Sequence, residues 1–167
     1  VEVFSSKNRD RVEPLRFVEV GCYLGQSTSF LCEAIMQSYL AGMTTIPVEV
    51  HVVDTFAGAT QDEKAVALDK GGSFFDTFKS NIGPLQRYID IHVGKSLDVV
   101  SKFKDESIDF IYIDADHDYE EVYKDINAWH SKVKRGGVIS GHDWQDEGVR
   151  SAYAKSFYRP PSAIMGN

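Results

Sequence analysis

Short apolar runs alternate along the chain with longer stretches in which apolar side chains recur every three or four positions. Short runs rich in β-branched residues predict buried strands, and the longer pattern predicts helices that pack on them. Five strands are predicted, over 16–20, 48–53, 88–93, 108–113 and 138–140. Strands that alternate with helices indicate a doubly wound, mostly parallel α/β sheet, for which we expect the order 3-2-1-4-5 and right-handed crossovers.

Capping and breaking residues set the predicted helix boundaries. Ser27 or Thr28 can cap the first helix, which ends near Ala41-Gly42 and directs four apolar side chains inward, namely Phe30, Leu31, Ala34 and Ile35. Later helices are predicted at Phe74, Phe75 and Phe78, over 97–103, from Asp118 to Val133, and over 147–157. Asp118 and Glu121 have capping-box spacing, and Gly136-Gly137 break that helix. The stretch from Thr55 to Gly72 is too long for a routine connection, which favours a loop that covers a site.

The first strand runs into a glycine turn that opens a helix, Glu19-Val20-Gly21-Cys22-Tyr23-Leu24-Gly25-Gln26-Ser27. Glycine allows positive φ and a close ligand, and the helix start offers unpaired N–H groups. A dinucleotide turn needs Gly-x-Gly-x-x-Gly, and Tyr23 and Gln26 break that spacing. A carboxylate at Glu19 would repel phosphate and suits a cationic group such as an ammonium. The turn therefore predicts a site for a small polar ligand other than NAD.

Polar residues follow every predicted strand, and ligands of such sheets bind beyond the carboxyl ends of the strands. These residues are Glu19, Asp54, Gly94-Lys95-Ser96, Asp114-Ala115-Asp116-His117 and His142-Asp143-Trp144. Adjacent fourth and fifth strands would bring Asp114 and Asp143 within about 5 Å of each other laterally, one strand spacing. Asp116, His117 and His142 lie nearby in the sequence, so several negative and titratable groups would crowd one cleft. Their mutual repulsion is best relieved by a cation or by the substrate.

Composition narrows the function classes. A chain of 167 residues with 43% hydrophobic content can form one domain, over 1–167, and it has no apolar run of about 20 residues that would span a membrane. Its net charge of −7 opposes nucleic acid. Cys22 and Cys32 lack metal-ligand or redox spacing, and no charged-then-apolar leader follows Val1, so we expect reduced thiols in a cytoplasmic protein.

Three motifs occur together in this chain. They are Glu-x-Gly-x-x-x-Gly, the block Ile108-Asp109-Phe110-Ile111-Tyr112-Ile113-Asp114-Ala115-Asp116-His117-Asp118-Tyr119, and the block Gly136-Gly137-Val138-Ile139-Ser140-Gly141-His142-Asp143-Trp144. Over residues 16–157 the chain resembles family 24 of the class I S-adenosylmethionine-dependent methyltransferases, with cephalosporin-hydroxylase-like and macrocin-type O-methyltransferases among its relatives. The resemblance implies a Rossmann-like methyltransferase domain. A complete sheet of this class has two further strands, which we expect to be short or missing here.

The resemblance also implies roles for individual residues. S-adenosylmethionine would be bound by residues at the strand ends, namely Glu19, Gly21, Tyr23, Gly25, Ser27, Asp54, Ser96 and Asp114. Asp54 would receive the ribose hydroxyls, and Ser96 would lie near the adenine. Asp114 and Asp143 match the metal ligands of metal-dependent relatives, whereas His142 stands where those relatives have Asp or Glu. Oxygen ligands suit Mg²⁺, and an imidazole shifts the preference toward Mn²⁺, iron or zinc.

The predicted reaction is O-methylation of a small molecule, with His117 as general base and Asp114 beside it. Trp144 and the aromatic residues of 55–78 are candidates for a lid over the site or for the core. His51, His92 and His130 are expected to be structural or surface residues. Two alternatives are an S-adenosylmethionine-binding module without activity and, less favoured, an NAD-dependent enzyme. Neither nucleic acid nor membrane is expected as a partner, and homo-oligomer formation is left open.

Overall fold

The computed structural model describes residues 13–58, 66, 71–157 and 160–164. Its strands are β1 (Leu15–Val20), β2 (Val48–Asp54), β3 (Ile89–Val93), β4 (Ile108–Ile113) and β5 (Val133–Gly141). Its helices are α1 (Gln26–Leu40), α2 (Phe75–Ile82), α3 (Ser96–Val99), α4 (Tyr119–His130) and α5 (Glu147–Ser156). Two 3₁₀ turns, Gly83–Tyr88 and Val100–Lys102, follow α2 and α3.

The five strands form one parallel sheet in the order β3-β2-β1-β4-β5. This confirms the predicted fold class and strand order. Because all five strands point the same way, their carboxyl ends lie along one edge. The turns after β1, β2 and β4 therefore meet at this edge, where the backbone N–H of Gly21 donates to the carbonyl of Val53 and that of Asp114 donates to the carbonyl of Val20.

Apolar side chains cover both faces of the sheet. On one face, α1 and α2 pack over β2 with Phe56, Phe74 and Phe78 fully buried between them. These three rings thus belong to the core and not to a lid. On the other face, α3 and α4 pack over β1 and β4, and the fully buried Trp129 lies at the centre of that cluster. Helix α5 packs on α4 through Ala152. Much of the predicted loop, residues 59–65 and 67–70, lies outside the described part of the chain.

The first helix differs from its prediction in its start and in two of the four side chains predicted to point inward, whereas Leu31 and Ile35 do pack against the core. Gly25, in the left-handed region with φ 85°, precedes the first helical residue, so neither Ser27 nor Thr28 caps the helix. Phe30 and Ala34 are exposed, and the buried positions are Thr28, Cys32 and Ser38. The hydroxyls of Thr28 and Ser38 donate to Glu19 and to the carbonyl of Ala34, which makes these polar residues compatible with burial.

The end of the fourth helix was also predicted wrongly. It ends at His130, and Val133 already begins β5, in register with Ile108. Gly136 and Gly137 lie inside this strand, at a shift in its register with β4, and Gly136 has φ +79°. The glycines accommodate an irregularity in a strand and do not break a helix.

Two smaller helix predictions are corrected as well. Asp118 does precede α4, but its side chain makes no capping hydrogen bond, so the predicted capping box is not formed. Its backbone carbonyl accepts from the N–H groups of Glu121 and Val122 instead. The helix predicted over 97–103 is one turn of α-helix followed by a 3₁₀ turn.

Candidate functional site

The glycine turn after β1 packs closely against the end of β4. Gly21 has φ +84°, and a Cβ at this position would lie 2.2 Å from the backbone oxygen of Asp114. Gly25 has φ +85°, and a Cβ there would lie 2.7 Å from the side chain of Ile82 on α2. At both positions glycine is required for two reasons, the positive φ of the backbone and the lack of space for a Cβ atom. Both residues hold the turn at the edge where the strand ends meet.

Asp54 fixes the same turn through its carboxylate. Its Oδ2 accepts from the backbone N–H groups of Cys22 and Tyr23, both at 2.8 Å, and its Oδ1 accepts from that of Phe56 at 2.7 Å. The residue predicted to bind a ribose thus already orders the loops around the predicted cofactor site. Tyr23, also predicted there, is 43% exposed, and its ring packs edge-on against Phe74 at 5.2 Å.

Glu19 lies beneath the turn and is only 1% exposed. Burial raises the pKa of its carboxyl, and the hydroxyls of Ser27 and Thr28, which hydrogen-bond to it, oppose that rise. Ser27, predicted as a cofactor residue, therefore faces Glu19. Glu19 and Ser27, both predicted to bind the cofactor, thus hydrogen-bond to each other beneath the turn.

Ser96 faces α4. Its hydroxyl donates to Asp125 Oδ1 at 2.5 Å and accepts from Trp129 Nε1 at 2.7 Å. Asp125 is 6% exposed, and burial raises its pKa to about 6, with the hydrogen bond from Ser96 acting in the opposite direction. The network fixes the loop after β3 against α4. Ser96 thus has a positioning role within the loop that is predicted to lie near the adenine.

Four titratable residues converge beyond the ends of β4 and β5. His117 Nε2 lies 2.7 Å from Asp143 Oδ2 and 3.9 Å from Asp114 Oδ1. His142 Nδ1 lies 3.0 Å from Asp143 Oδ1 and 3.9 Å from Asp114 Oδ1. The predicted convergence of Asp114 and Asp143 is thus present, and both histidines lie beside the two carboxylates. Asp143 adopts φ +51°, a left-handed conformation that Asp tolerates better than most residues.

The pKa values of the two carboxyl groups in this cluster are shifted in opposite directions. Burial raises the pKa of Asp114, the charge of Asp143 adds to the rise, and the two histidines oppose it. Burial also acts to raise the pKa of Asp143, but hydrogen bonds from His142 and Gln145 and the charge of His117 outweigh it and hold that pKa below its usual value. The same hydrogen bond with Asp143 raises the pKa of His142.

Three ligand atoms of the cluster, one each from Asp114, His117 and Asp143, all lie within 4.8 Å of one another. This spacing could hold a metal ion. The sequence predicted His142 as the third ligand beside the two aspartates. In the structure the histidine whose ligand atom lies within 4.8 Å of both carboxylates in this set is His117. The start of α5 approaches this loop closely, because a Cβ at Gly148 would lie 2.4 Å from the carbonyl oxygen of His117.

Sequence reasoning missed three residues that shape the site. Tyr112 hydrogen-bonds to Asp114 and lies near Glu19 and Asp143, and its burial together with these carboxylates raises the pKa of its phenol. Thr28 holds Glu19, and Asp125 holds Ser96. For Asp125 a signal was present, since it lies three and four positions from Val122 and Trp129, on the apolar stripe of α4.

Other features lie away from this cluster. A cavity of about 400 Å³ at the start of α1 is lined by Leu24, Gly25, Gln26, Ser29, Phe30, Glu33 and Asn81, so it contains only Gly25 of the predicted cofactor residues. Trp144 is partly buried against Tyr153. Cys22 and Cys32 are free and buried. No helix in the described parts of the chain has the length and apolar character needed to cross a membrane.

Comparison with known proteins places the chain in a family. A family model described as "Methyltransferase domain", that of methyltransferase family 24, matches residues 18–144. An uncharacterized protein of Acanthamoeba polyphaga mimivirus is 30% identical over 135 residues, covering 80% of this chain and 53% of that protein. The uncharacterized protein y4gI of Sinorhizobium fredii is 26% identical over 132 residues, covering 79% of this chain and 13% of that protein. The chain thus spans about half the length of the first relative and far less of the second.

A solved structure shares the fold. The apo structure of CalS11, a TDP-rhamnose 3′-O-methyltransferase of calicheamicin biosynthesis, matches with a TM-score of 0.52 at 15% identity and covers 93% of this chain and 68% of that one. At this identity the likeness concerns the fold alone. Together with the strand order and the family match, it confirms the resemblance of the sequence motifs. The chain therefore belongs to family 24 of the class I S-adenosylmethionine-dependent methyltransferases.

Proposed function

We propose that this chain is the cofactor-binding domain of an S-adenosylmethionine-dependent enzyme that methylates a hydroxyl group of a small molecule. The observation that carries the proposal is the convergence of Asp114, His117 and Asp143 beside the glycine turn, in a methyltransferase domain. An acid–imidazole cluster can orient a hydroxyl and accept its proton. The Rossmann-like strand ends supply the site for the methyl donor.

The residues of the glycine turn fit the methyl donor in their chemistry. S-adenosylmethionine carries a methyl group already activated on a sulfonium, so the protein has to align the reactants and exclude water. The negative groups Glu19, Asp54 and Asp114 surround the turn, which suits a ligand with an ammonium and a sulfonium centre. We propose Gly21 and Gly25 as the backbone against which the donor packs and Asp54 as the acceptor for ribose hydroxyls.

Asp114, His117 and Asp143 also fit a divalent cation such as Mg²⁺ or Mn²⁺. Two carboxylates and one imidazole within 4.8 Å of one another supply oxygen and nitrogen ligands for such an ion. When bound, such an ion lowers the pKa of a hydroxyl group that it contacts. His117 was predicted as the base, but its place in the ligand set makes His142 the second candidate for this role.

In the proposed reaction the acceptor oxygen forms a bond to the methyl carbon as the carbon–sulfur bond breaks, and the hydroxyl proton passes to an imidazole. The sulfur keeps the bonding electrons and leaves as a neutral thioether. The hydrogen bond of His142 to Asp143 keeps one ring orientation, so that its other nitrogen can face the cleft. The identity of the acceptor depends on residues that select substrate, and we propose only its class, a small molecule with a hydroxyl.

Titration calorimetry with S-adenosylmethionine tests the cofactor site. Asp54→Asn keeps an acceptor oxygen for the loop amides but removes the charge, and we expect it to weaken binding by about tenfold or more, equivalent to about 1.4 kcal/mol. Asp98→Asn, at an exposed position on α3, is the matched control. Unchanged affinity in a folded Asp54→Asn protein would refute the role of Asp54, and no binding by the native protein would refute the cofactor.

Transfer of labelled methyl groups to a panel of hydroxylated small molecules tests the reaction. We expect both EDTA treatment and the Asp143→Asn substitution to abolish methyl transfer. Added Mn²⁺ should restore transfer in the EDTA-treated native protein but not in the Asp143→Asn protein. Comparing His117→Gln with His142→Gln, each measured across pH 6–9, assigns the base, because only the base variant should lose the pH dependence of turnover. Transfer that survives EDTA would eliminate the metal, and cofactor binding without transfer to any acceptor would favour the inactive binding module.

A further inference from the structure

Two histidines form a second cluster, set back from the strand ends. His51 on β2 lies in register with Asp90 on β3, and His92 lies two residues further along β3 on the same face of the sheet. The two imidazole rings are 5.4 Å apart between centroids, and His51 Nδ1 lies 3.2 Å from His92 Nε2. Phe103 packs edge-on against both rings at 5.4 Å. The aromatic contacts fix both rings in this arrangement.

His51 has two carboxylate neighbours on the same face of the sheet. Asp90 Oδ2 lies 3.6 Å from His51 Nδ1, and Glu49 Oε2 lies 3.9 Å from His51 Nε2. Glu49 is held by Arg16, whose Nε and Nη2 donate to it at 3.2 and 3.0 Å. Strand β3 is at the edge of the sheet, and the side chain of Asp90 is 72% exposed. The cluster is therefore open to solvent on the side of Asp90.

The distance between the two nitrogens matches the geometry of a bound ion. Bonds of about 2.0–2.1 Å from imidazole nitrogen to a tetrahedral Zn²⁺ place two such nitrogens about 3.3–3.4 Å apart. The observed separation of His51 Nδ1 and His92 Nε2 is 3.2 Å, and Asp90 Oδ2 is 3.6 Å from the same Nδ1. Asp90, exposed on the same face of the sheet as both histidines, is the carboxylate available as a third ligand.

The second nitrogen of His51 lies on the side of Glu49. His51 Nε2 is buried and has no hydrogen-bond partner. The nearest carboxylate oxygen to it is Glu49 Oε2, at 3.9 Å. Coordination through Nδ1 requires the proton to be on Nε2, where it faces Glu49. Metal-bound histidines usually donate this second N–H to a carboxylate.

We propose that His51 and His92, with Asp90 as third ligand, bind a divalent transition-metal ion of the Zn²⁺ type. Two imidazoles favour zinc, nickel or copper over Mg²⁺, so this site would take an ion that the carboxylate-rich site does not prefer. The ion links β3, an edge strand, to β2 and stabilises that edge. The proposal is independent of the methyl-transfer function.

Zn²⁺ titration by calorimetry tests the site in a protein that carries Asp114→Asn and Asp143→Asn, which removes both carboxylate ligands of the strand-end site. We expect this protein to bind one equivalent of Zn²⁺ and to unfold at a higher temperature with the ion than without it. Adding His92→Gln should weaken Zn²⁺ binding at least tenfold and abolish the thermal shift. Adding His130→Gln, a change at an exposed histidine on α4, should leave both unchanged.

Co²⁺ absorption in the visible range gives a readout of the ligands themselves. The protein with Asp114→Asn and Asp143→Asn should give an intense tetrahedral spectrum, which Asp90→Asn should alter without any effect on folding, because this side chain is exposed. Loss of all Zn²⁺ binding when only the strand-end aspartates are replaced would overturn the proposal. Wild-type affinity in the His92→Gln protein would overturn it as well.

Discussion

Replacing Gly21 by alanine probes how the glycine turn is held against β4. Gly21 has φ +84°, and left-handed backbone costs a residue with a Cβ about 1–2 kcal/mol. The new Cβ would also lie 2.2 Å from the carbonyl oxygen of Asp114 and 2.5 Å from the Cα of Ala115. Overpacking of this kind costs about 1–3 kcal/mol, and backbone atoms cannot rotate away, which favours the upper end. We expect a total destabilisation of about 3–5 kcal/mol.

Gly42→Ala is the matched control for this substitution. Gly42 has φ +67°, and nothing lies within 4 Å of a Cβ built there, so alanine should cost only the conformational part, about 1–2 kcal/mol. Urea unfolding followed by circular dichroism gives both free energies of unfolding. Affinity for S-adenosylmethionine should fall for Gly21→Ala alone. Equal destabilisation by the two alanines would refute the argument that close approach to Asp114 selects glycine at this position.

Two further predictions concern buried carboxyl groups. The pKa of Asp125, about 6 against an ordinary 3.8, means that the folded state holds this proton while the unfolded state has lost it, so stability falls between about pH 4 and pH 6 by about 3 kcal/mol. Asp125→Asn keeps an acceptor for Ser96 and should remove this loss of stability, measured by urea unfolding at several pH values. The exposed control Asp98→Asn should keep the loss, and an equal loss in both variants would contradict the raised pKa of Asp125. Thr28→Val leaves Glu19 with one donor fewer and should destabilise the fold by about 1–3 kcal/mol in the same assay, whereas wild-type stability would show that Ser27 alone satisfies the carboxyl.

The sheet could be predicted from the sequence because its three central strands, β1, β2 and β4, are largely buried. Such strands are continuous apolar runs, and their boundaries were predicted to within a residue or two, apart from the start of β5. For β5, Gly136 and Gly137 interrupt the apolar pattern at the register shift, so the first half of the strand was assigned to the preceding helix. A single sequence does not distinguish a glycine in an irregular strand from one that ends a helix.

The apolar pattern was right for Leu31 and Ile35, which pack against the core, and wrong for Phe30 and Ala34, because two polar side chains are buried on α1 instead. Thr28 and Ser38 enter the core since each donates a hydrogen bond, one of them to a residue nine positions earlier on β1. Pairings of this kind arise from the tertiary structure, and periodicity alone does not reveal them. Phe30, which the pattern placed inside, is 63% exposed.

The convergence of site residues could be predicted, but their individual partners could not. Parallel strands bring their following residues to one edge, which is why Asp114 and Asp143 were expected together. The pairing of Ser96 with Asp125 joins residues 29 positions apart and depends on how α3 packs against α4. The choice between His117 and His142 as the histidine nearest both carboxylates likewise depends on side-chain rotamers.

Under the proposed function, the carboxylate of Asp54 would report whether the cofactor is bound. A carboxylate offers about four lone-pair positions, and three backbone N–H groups already use this one. Two ribose hydroxyls that donate to it must therefore displace or lengthen at least one of these bonds. The amide protons of Cys22, Tyr23 and Phe56 should then shift together in an NMR spectrum, and their exchange with solvent should follow the fraction of cofactor bound. The loop on β1 and the loop on β2 would thus respond to the same ligand as one unit.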